Sequence, residues 1–88
     1  MEKVQQLEIL LDIDINALSE EELTDILKKA FEEKGYIPRD TPVVVREGKI
    51  SSIRAIEKET QEEVELYTFA KVIKKDKKVK TYISARIV

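Results

Sequence analysis

Asp12, Asp14 and Asn16 are spaced Asp-x-Asp-x-Asn, the spacing with which an EF-hand loop presents alternating oxygens to calcium. That loop also needs glycine at its sixth position and glutamate at its twelfth, and here those positions hold Ala17 and Leu23. The three residues therefore read as the solvated side of a strand whose other side, Ile13 and Ile15, belongs in a core, and no metal ligand is assigned. Glu57, Glu59, Glu62, Glu63 and Glu65 are the residue type that supplies acid and base in glycoside hydrolysis, but clustered about one turn they read as a charged, solvated turn. Ser19, Ser51, Ser52 and Ser84 have no histidine to activate them, because the chain contains none, and two isolated glycines cannot build a phosphate loop. The expectation is a non-catalytic protein with no cofactor and no identifiable small-molecule substrate.

Binding chemistry is better represented. Residues 71–80 read Lys-Val-Ile-Lys-Lys-Asp-Lys-Lys-Val-Lys, six lysines against one acid. A hairpin of this charge can track phosphates, each neutralised phosphate adding a salt-dependent term to affinity. Lys71, Lys74, Lys75, Lys77, Lys78, Lys80 and Arg86 are the basic candidates, and Tyr67, Phe69 and Tyr82 add aromatic faces of the kind that stack on unpaired bases. An RNA-recognition motif would show similar aromatics, but its signature sequences and its βαββαβ order are absent. Lysines beside a hairpin tip also have a purely structural use, in keeping a sheet edge soluble.

The elements that must position these side chains follow from periodicity. Leu7, Ile9, Leu11, Ile13, Ile15 and Ala17 alternate with more polar residues, which predicts a half-buried strand over 7–17. Ser19 followed by Glu20, Glu21 and Glu22 supplies an N-cap, a capping box and three carboxylates at the positive end of a helix dipole. Leu23, Ile26, Leu27, Ala30 and Phe31 then form an apolar helical stripe, with Thr24, Asp25, Lys28, Lys29, Glu32 and Glu33 on the wet side. Gly35 suits the left-handed position that ends the helix, with Tyr36 and Ile37 folding back on its last turn and Pro38 and Pro42 bracketing an irregular connection.

Four strands are predicted after Pro42. Residues 43–46 and 49–57 flank Glu47-Gly48 as a hairpin, with a bulge near Ser51-Ser52 to reconcile the parity of Ile50 with that of Ile53 and Ala55. Residues 58–61 make a polar turn. Strands over 62–73 and 78–88 place Val64, Leu66, Thr68, Ala70 and Val72 on the same face as Val79, Thr81, Ile83, Ala85 and Ile87 if their loop has even length. A loop over 74–77 then sets Val72 opposite Val79, Leu66 opposite Ala85, Phe69 opposite Tyr82, Glu65 opposite Arg86 and Lys71 opposite Lys80.

The resulting fold class is α+β, one helix packed on one face of a curved four- to five-stranded antiparallel sheet in the order β-α-β-β-β-β. In order of elements alone it is similar to the cystatin and monellin architecture. Cystatins present a Gln-x-Val-x-Gly loop and a Pro-Trp hairpin, where this chain has Val43-Val44-Val45-Arg46-Glu47-Gly48 and no tryptophan, so protease inhibition is not implied. Eighty-eight residues suit a single domain over 1–88. The 39% charged composition, with one Asn, three Gln and two Gly, resembles that of thermophilic proteins.

With no cysteine, no basic leader in residues 1–6 and no long apolar run, the expected location is the cytoplasm, away from membranes. The net charge of −2 hides an asymmetry: residues 1–34 carry ten acids and four lysines, and residues 35–88 eight acids and twelve bases. A bipolar molecule is expected. One helix covers one sheet face, leaving Leu10, Val44, Ile56, Tyr67, Phe69, Ile73, Tyr82 and Val88 on the other, a large apolar set for a monomer. The expected function is a protein–protein interaction module, a homodimer joined around Tyr67, Phe69, Ile73 and Tyr82; the alternative is nucleic-acid binding through the basic hairpin 71–80.

Overall fold

A computed structural model describes residues 5–88, so residues 1–4, part of the segment read above for a leader, lie outside the described residues. The chain forms β1 (Gln5–Leu11), a short 3-10 turn (Ile15–Ala17), α1 (Glu20–Glu33), β2 (Tyr36–Pro38), β3 (Ile50–Glu57), β4 (Glu63–Lys75) and β5 (Lys78–Ile87). The strands make one antiparallel sheet in the spatial order β1-β5-β4-β3-β2, curved around the single helix. The expected α+β class and element order hold.

The start of α1 follows directly from its side chains. Ser19 Oγ accepts from the Glu22 N–H at 3.2 Å and Glu22 Oε1 accepts from the Ser19 N–H at 3.1 Å, closing the capping box. Leu23, Leu27 and Phe31 bury the inner stripe, each contributing on the order of 1.5–3 kcal/mol. They meet Leu7, Ile9, Ile53, Leu66 and Ile83 from the concave face of the sheet. Gly35 ends the helix at φ 94°, a left-handed conformation that a Cβ would strain.

Five expectations need correction. The first strand stops at Leu11, because Asp14 turns its carboxylate to the Asn16 N–H at 2.8 Å and starts the 3-10 turn; Ile15 still reaches the core. Residues 43–46 keep their alternation, with Val43 and Val45 buried, but form no strand. The sheet's outer strand beyond β3 is instead Tyr36–Pro38, where Gly35 has redirected the chain and Pro38 is tolerated because the strand is an edge. Thr24, expected on the wet side, is buried because its hydroxyl accepts from the Val43 N–H at 2.9 Å and donates to the Val43 carbonyl at 3.3 Å, serving a backbone that has no strand partner there.

The fourth correction is the bulge. Pairing runs unbroken from Ile50 opposite Phe69 to Ile56 opposite Glu63, so Ile50 keeps its own parity and points away from the core. The fifth is the β4–β5 register. Lys75 stands opposite Lys78, closing a two-residue turn of Asp76 and Lys77 at φ 52° and 62° in place of the four-residue loop. Phe69 therefore faces Ser84, Lys71 faces Tyr82, Tyr67 faces Arg86 and Val72 faces Thr81. The register slips by two, an even number, so every side chain remains on its expected face.

Candidate functional site

The outer, helix-free face of the sheet carries the residues that sequence reasoning proposed for binding. Its rows are read from the pairing. One row holds Glu8, Ser84, Phe69 and Ile50; the next, toward the β4–β5 turn, holds Leu10, Tyr82 and Lys71; the next in the opposite direction holds Gln6, Arg86, Tyr67 and Ser52. Further toward the turn come Lys80 with Ile73 and then Lys78 with Lys75, while further away come Glu65 with Arg54 and Glu63 with Ile56. Tyr67, Phe69, Ile73 and Tyr82 thus share one surface. Phe69 is 43% exposed and Ile50, directly opposite it, 74%.

Ile50 is the residue that the expected bulge concealed. Its parity with Ser52, Arg54 and Ile56 was the available signal, and no bulge was needed. Val44 belongs elsewhere: it lies half-buried in the loop before β3 and packs against the core.

Two tyrosines on this face lie beside carboxylates that raise their phenol pKa. Glu65, two residues along the same strand, raises the Tyr67 phenol above its ordinary pKa through a hydrogen bond and its negative charge. Glu8, one row diagonal from Tyr82 on β1, does the same to that phenol, again chiefly by a hydrogen bond.

The basic residues divide by geometry. Lys71, Lys75, Lys78, Lys80 and Arg86 lie on the outer face, Lys74 has the opposite parity, and Lys77 sits in the turn. β3 pairs with β4 only as far as Phe69, and β1 with β5 only as far as Thr81, so residues 73–80 run on as a two-stranded arm about 10 Å beyond the sheet. Its base is pinned by Glu47, whose carboxylate accepts from the Val72 N–H at 2.8 Å and from Asn16 at 3.0 Å. These hydrogen bonds, Val72 first, hold the Glu47 carboxyl below the usual range, with the nearby Lys74 charge adding to them. Lys80 approaches Asp12 at 3.8 Å.

The opposite end of the same face carries both signs, with Arg54 and Arg86 among its acids. Glu63 and Glu65 lie on it, and Glu57, Glu59 and Glu62 surround the adjoining turn. Arg39 engages Glu63 at 2.7 Å and Arg54 engages Asp40 at 2.9 Å. The Asp12, Asp14 and Asn16 set, expected on one strand face, is distributed instead: Asp12 to Lys80, Asp14 to its own turn and Asn16 to Glu47. A depression of about 110 Å³ between the start of α1 and residues 44–46 is lined by Ile15, Leu18, Leu23, Val44 and Val45, and by Asn16, Glu20 and Arg46. Its polar side chains are paired, Asn16 with Glu47 and Glu20 with Arg46 at 3.6 Å.

Among the described residues no helix is long and apolar enough to cross a membrane. No protein-family model, curated protein or solved structure matches the chain.

Proposed function

We propose that this protein is a non-catalytic interaction module that self-associates as a homodimer through the outer face of its sheet. The observation that carries this reading is the contiguity of Tyr67, Phe69, Ile73 and Tyr82 with Ile50 and Leu10 on a face the single helix leaves uncovered. Isolated apolar side chains need no partner, whereas a connected patch of this size marks an interface. A stable interface takes about 800 Å² from each partner, roughly an eighth of this chain's 6276 Å² surface, and one sheet face can supply it. The cysteine-free composition suits the cytoplasm as the place where it acts.

Sedimentation velocity across micromolar concentrations tests this. The expected result is a dimer for the natural chain and a monomer for the Ile50→Ser, Phe69→Ser double variant with an unchanged circular dichroism spectrum. A strict monomer throughout removes the proposal.

The free arm favours a second reading. A two-stranded ribbon with lysines on both strands, continuous with Tyr67, Phe69 and Tyr82, is a shape that can enter a groove or follow a phosphate backbone. If this is its use, the protein retards a single-stranded or duplex oligonucleotide at low salt, and charge reversal at Lys77 and Lys78 abolishes the retardation. Failure to retard either at low salt rejects it.

A further inference from the structure

In an antiparallel sheet each residue turns its N–H and C=O together toward one neighbouring strand, so a single hydrogen-bonded pair sets the alternation for all of them. Glu65 and Val88 exchange both backbone hydrogen bonds, at 3.1 and 3.0 Å. Along the unbroken β4–β5 register the even residues of β5 therefore bond to β4 and its odd residues to β1. The β1 partners of those odd residues are Gln5, Leu7, Ile9 and Leu11. Gln6, Glu8 and Leu10 accordingly turn both backbone groups away from the sheet, and no backbone hydrogen bond reaches them among the described residues. The Tyr36 hydroxyl meets Gln5 Oε1 at 3.4 Å, a side-chain contact that leaves this edge backbone free.

The other free edges are closed. Where β4 runs past β3, the Ala70 carbonyl accepts from the Gly48 N–H at 3.1 Å and the Val72 N–H donates to Glu47 at 2.8 Å, both on the side the alternation gives. Farther out, the arm's outward backbone is that of Lys74 on one strand and Val79 on the other, set among lysines. β2 has three residues, and of its outward pair, Tyr36 and Pro38, the proline has no N–H. Short strands, proline, lysine and covering groups are the devices by which a sheet refuses a further strand. β1 has seven residues with no proline or lysine among them, and α1 approaches β2, at the opposite edge, more closely than any other strand.

We propose that the β1 edge accepts an extended segment of another polypeptide as a further strand, with a basic residue opposite Glu8 and an apolar residue opposite Leu10. Main-chain hydrogen bonds to Gln6, Glu8 and Leu10 hold such a segment, and the side chains beside them select it. Glu8 is the only charge on β1 and forms no ion pair among the described residues. Leu10 is 58% exposed. A second copy suits the edge less well. A two-fold pairing of β1 with itself that uses all three residues sets Glu8 directly on its own copy, and a register shifted either way engages only two of them within β1. Strand addition here requires no dimer, and it leaves Phe69 and Ile50, two and three strands away, uncovered.

The test is amide exchange, followed by NMR, on the full chain with two acetylated and amidated peptides: Ser-Leu-Val-Lys-Val-Thr-Ser, written to pair antiparallel with β1, and the same peptide with Glu in place of Lys. In the free protein the Gln6, Glu8 and Leu10 amides are expected to exchange fast and those of Leu7 and Ile9 slowly. At about 1 mM the Lys peptide slows the first three by at least about tenfold, which corresponds to a Kd of about 0.1 mM, and the Glu peptide slows them less. Glu8→Lys reverses that preference. Glu8→Pro removes an outward N–H and no bond of the sheet, so it keeps the circular dichroism spectrum and loses the protection; if it unfolds, the Glu8→Lys exchange of preference still decides. Unchanged exchange at these three amides with both peptides overturns the proposal, as does protection confined to residues of β3 and β4. Equal response to both peptides in both chains overturns the partner assigned. Protection in the peptide-free chain that grows with protein concentration gives the edge to a second copy, and also overturns it.

Discussion

Three buried threonines do what an apolar residue of similar size could not. Thr24 holds the Val43 peptide, Thr68 donates to the Ser51 carbonyl at 2.9 Å, and Thr81 accepts from the Ile15 N–H at 3.2 Å while donating to the Ile13 carbonyl at 2.6 Å. Two of them satisfy backbone that leaves regular structure inside the core, at the 3-10 turn and in the loop before β3. Thr24→Val keeps the shape but strands the buried Val43 N–H, so the expected loss is about 1–3 kcal/mol in urea denaturation. Acid stability is also set at single residues. Hydrogen bonds from Ser19 lower the Glu22 pKa, and those from Val72 and Asn16 lower that of Glu47. Because the folded-state values lie below the unfolded ones, these groups stabilise the fold above the ordinary glutamate range and lose that contribution as pH falls below about 4.3 through the lowered values. Glu47→Gln is expected to flatten the acid limb of a plot of urea midpoint against pH; an unchanged slope counts against the role assigned to Glu47.

At the scale of elements, what was legible was what a short stretch of chain decides alone. The capping box at Ser19 and the stripe from Leu23 to Phe31 define α1 from within about fifteen residues, and parity assigns each strand residue to a face. Which strands pair, and in what register, is a competition between distant backbones: β4 and β5 pair as expected, but their register and the hairpin over 43–57 do not hold. The Asp76-Lys77 turn shows why. Positive φ at both central residues gives the turn whose twist matches a hairpin, but glycine, its usual signature, is absent. Lys77→Gly is accordingly expected to stabilise the protein by about 1 kcal/mol, read as a rise in thermal midpoint, by relieving a left-handed conformation that a side chain disfavours. The outer-face site was legible in its aromatic members and its lysines, since parity alone collects them. Ile50 was missed because an invoked bulge overrode that same parity.

At the scale of the whole molecule, the second half of the sequence separates its own charges along the sheet. The sheet lays the lysines of the β4–β5 arm at one end of the long axis and the carboxylates around the β3–β4 turn at the other, in a body of 42 × 30 × 21 Å. A radius of gyration of 13.0 Å, against about 12 Å expected for a compact chain of this length, fits the projecting arm. Because apolar contact is not screened by salt, raising the ionic strength from about 0.05 to 0.5 M is expected to leave the proposed dimer intact in sedimentation equilibrium, whereas oligonucleotide binding through the arm falls by at least about tenfold.

The sequence by itself determined the helix, its cap, the strand-rich second half and the division of side chains between inner and outer faces, because period and capping are properties of neighbouring residues. Only the tertiary structure decided that the strand pairing with β3 at the sheet edge comes from Tyr36–Pro38, that Thr24 is buried, that β4 and β5 slip by two, and that Ile50 joins Phe69 on the outer face. Each of those outcomes depends on which backbone satisfies which, and a donor far along the chain competes on equal terms with a near one once the core has formed.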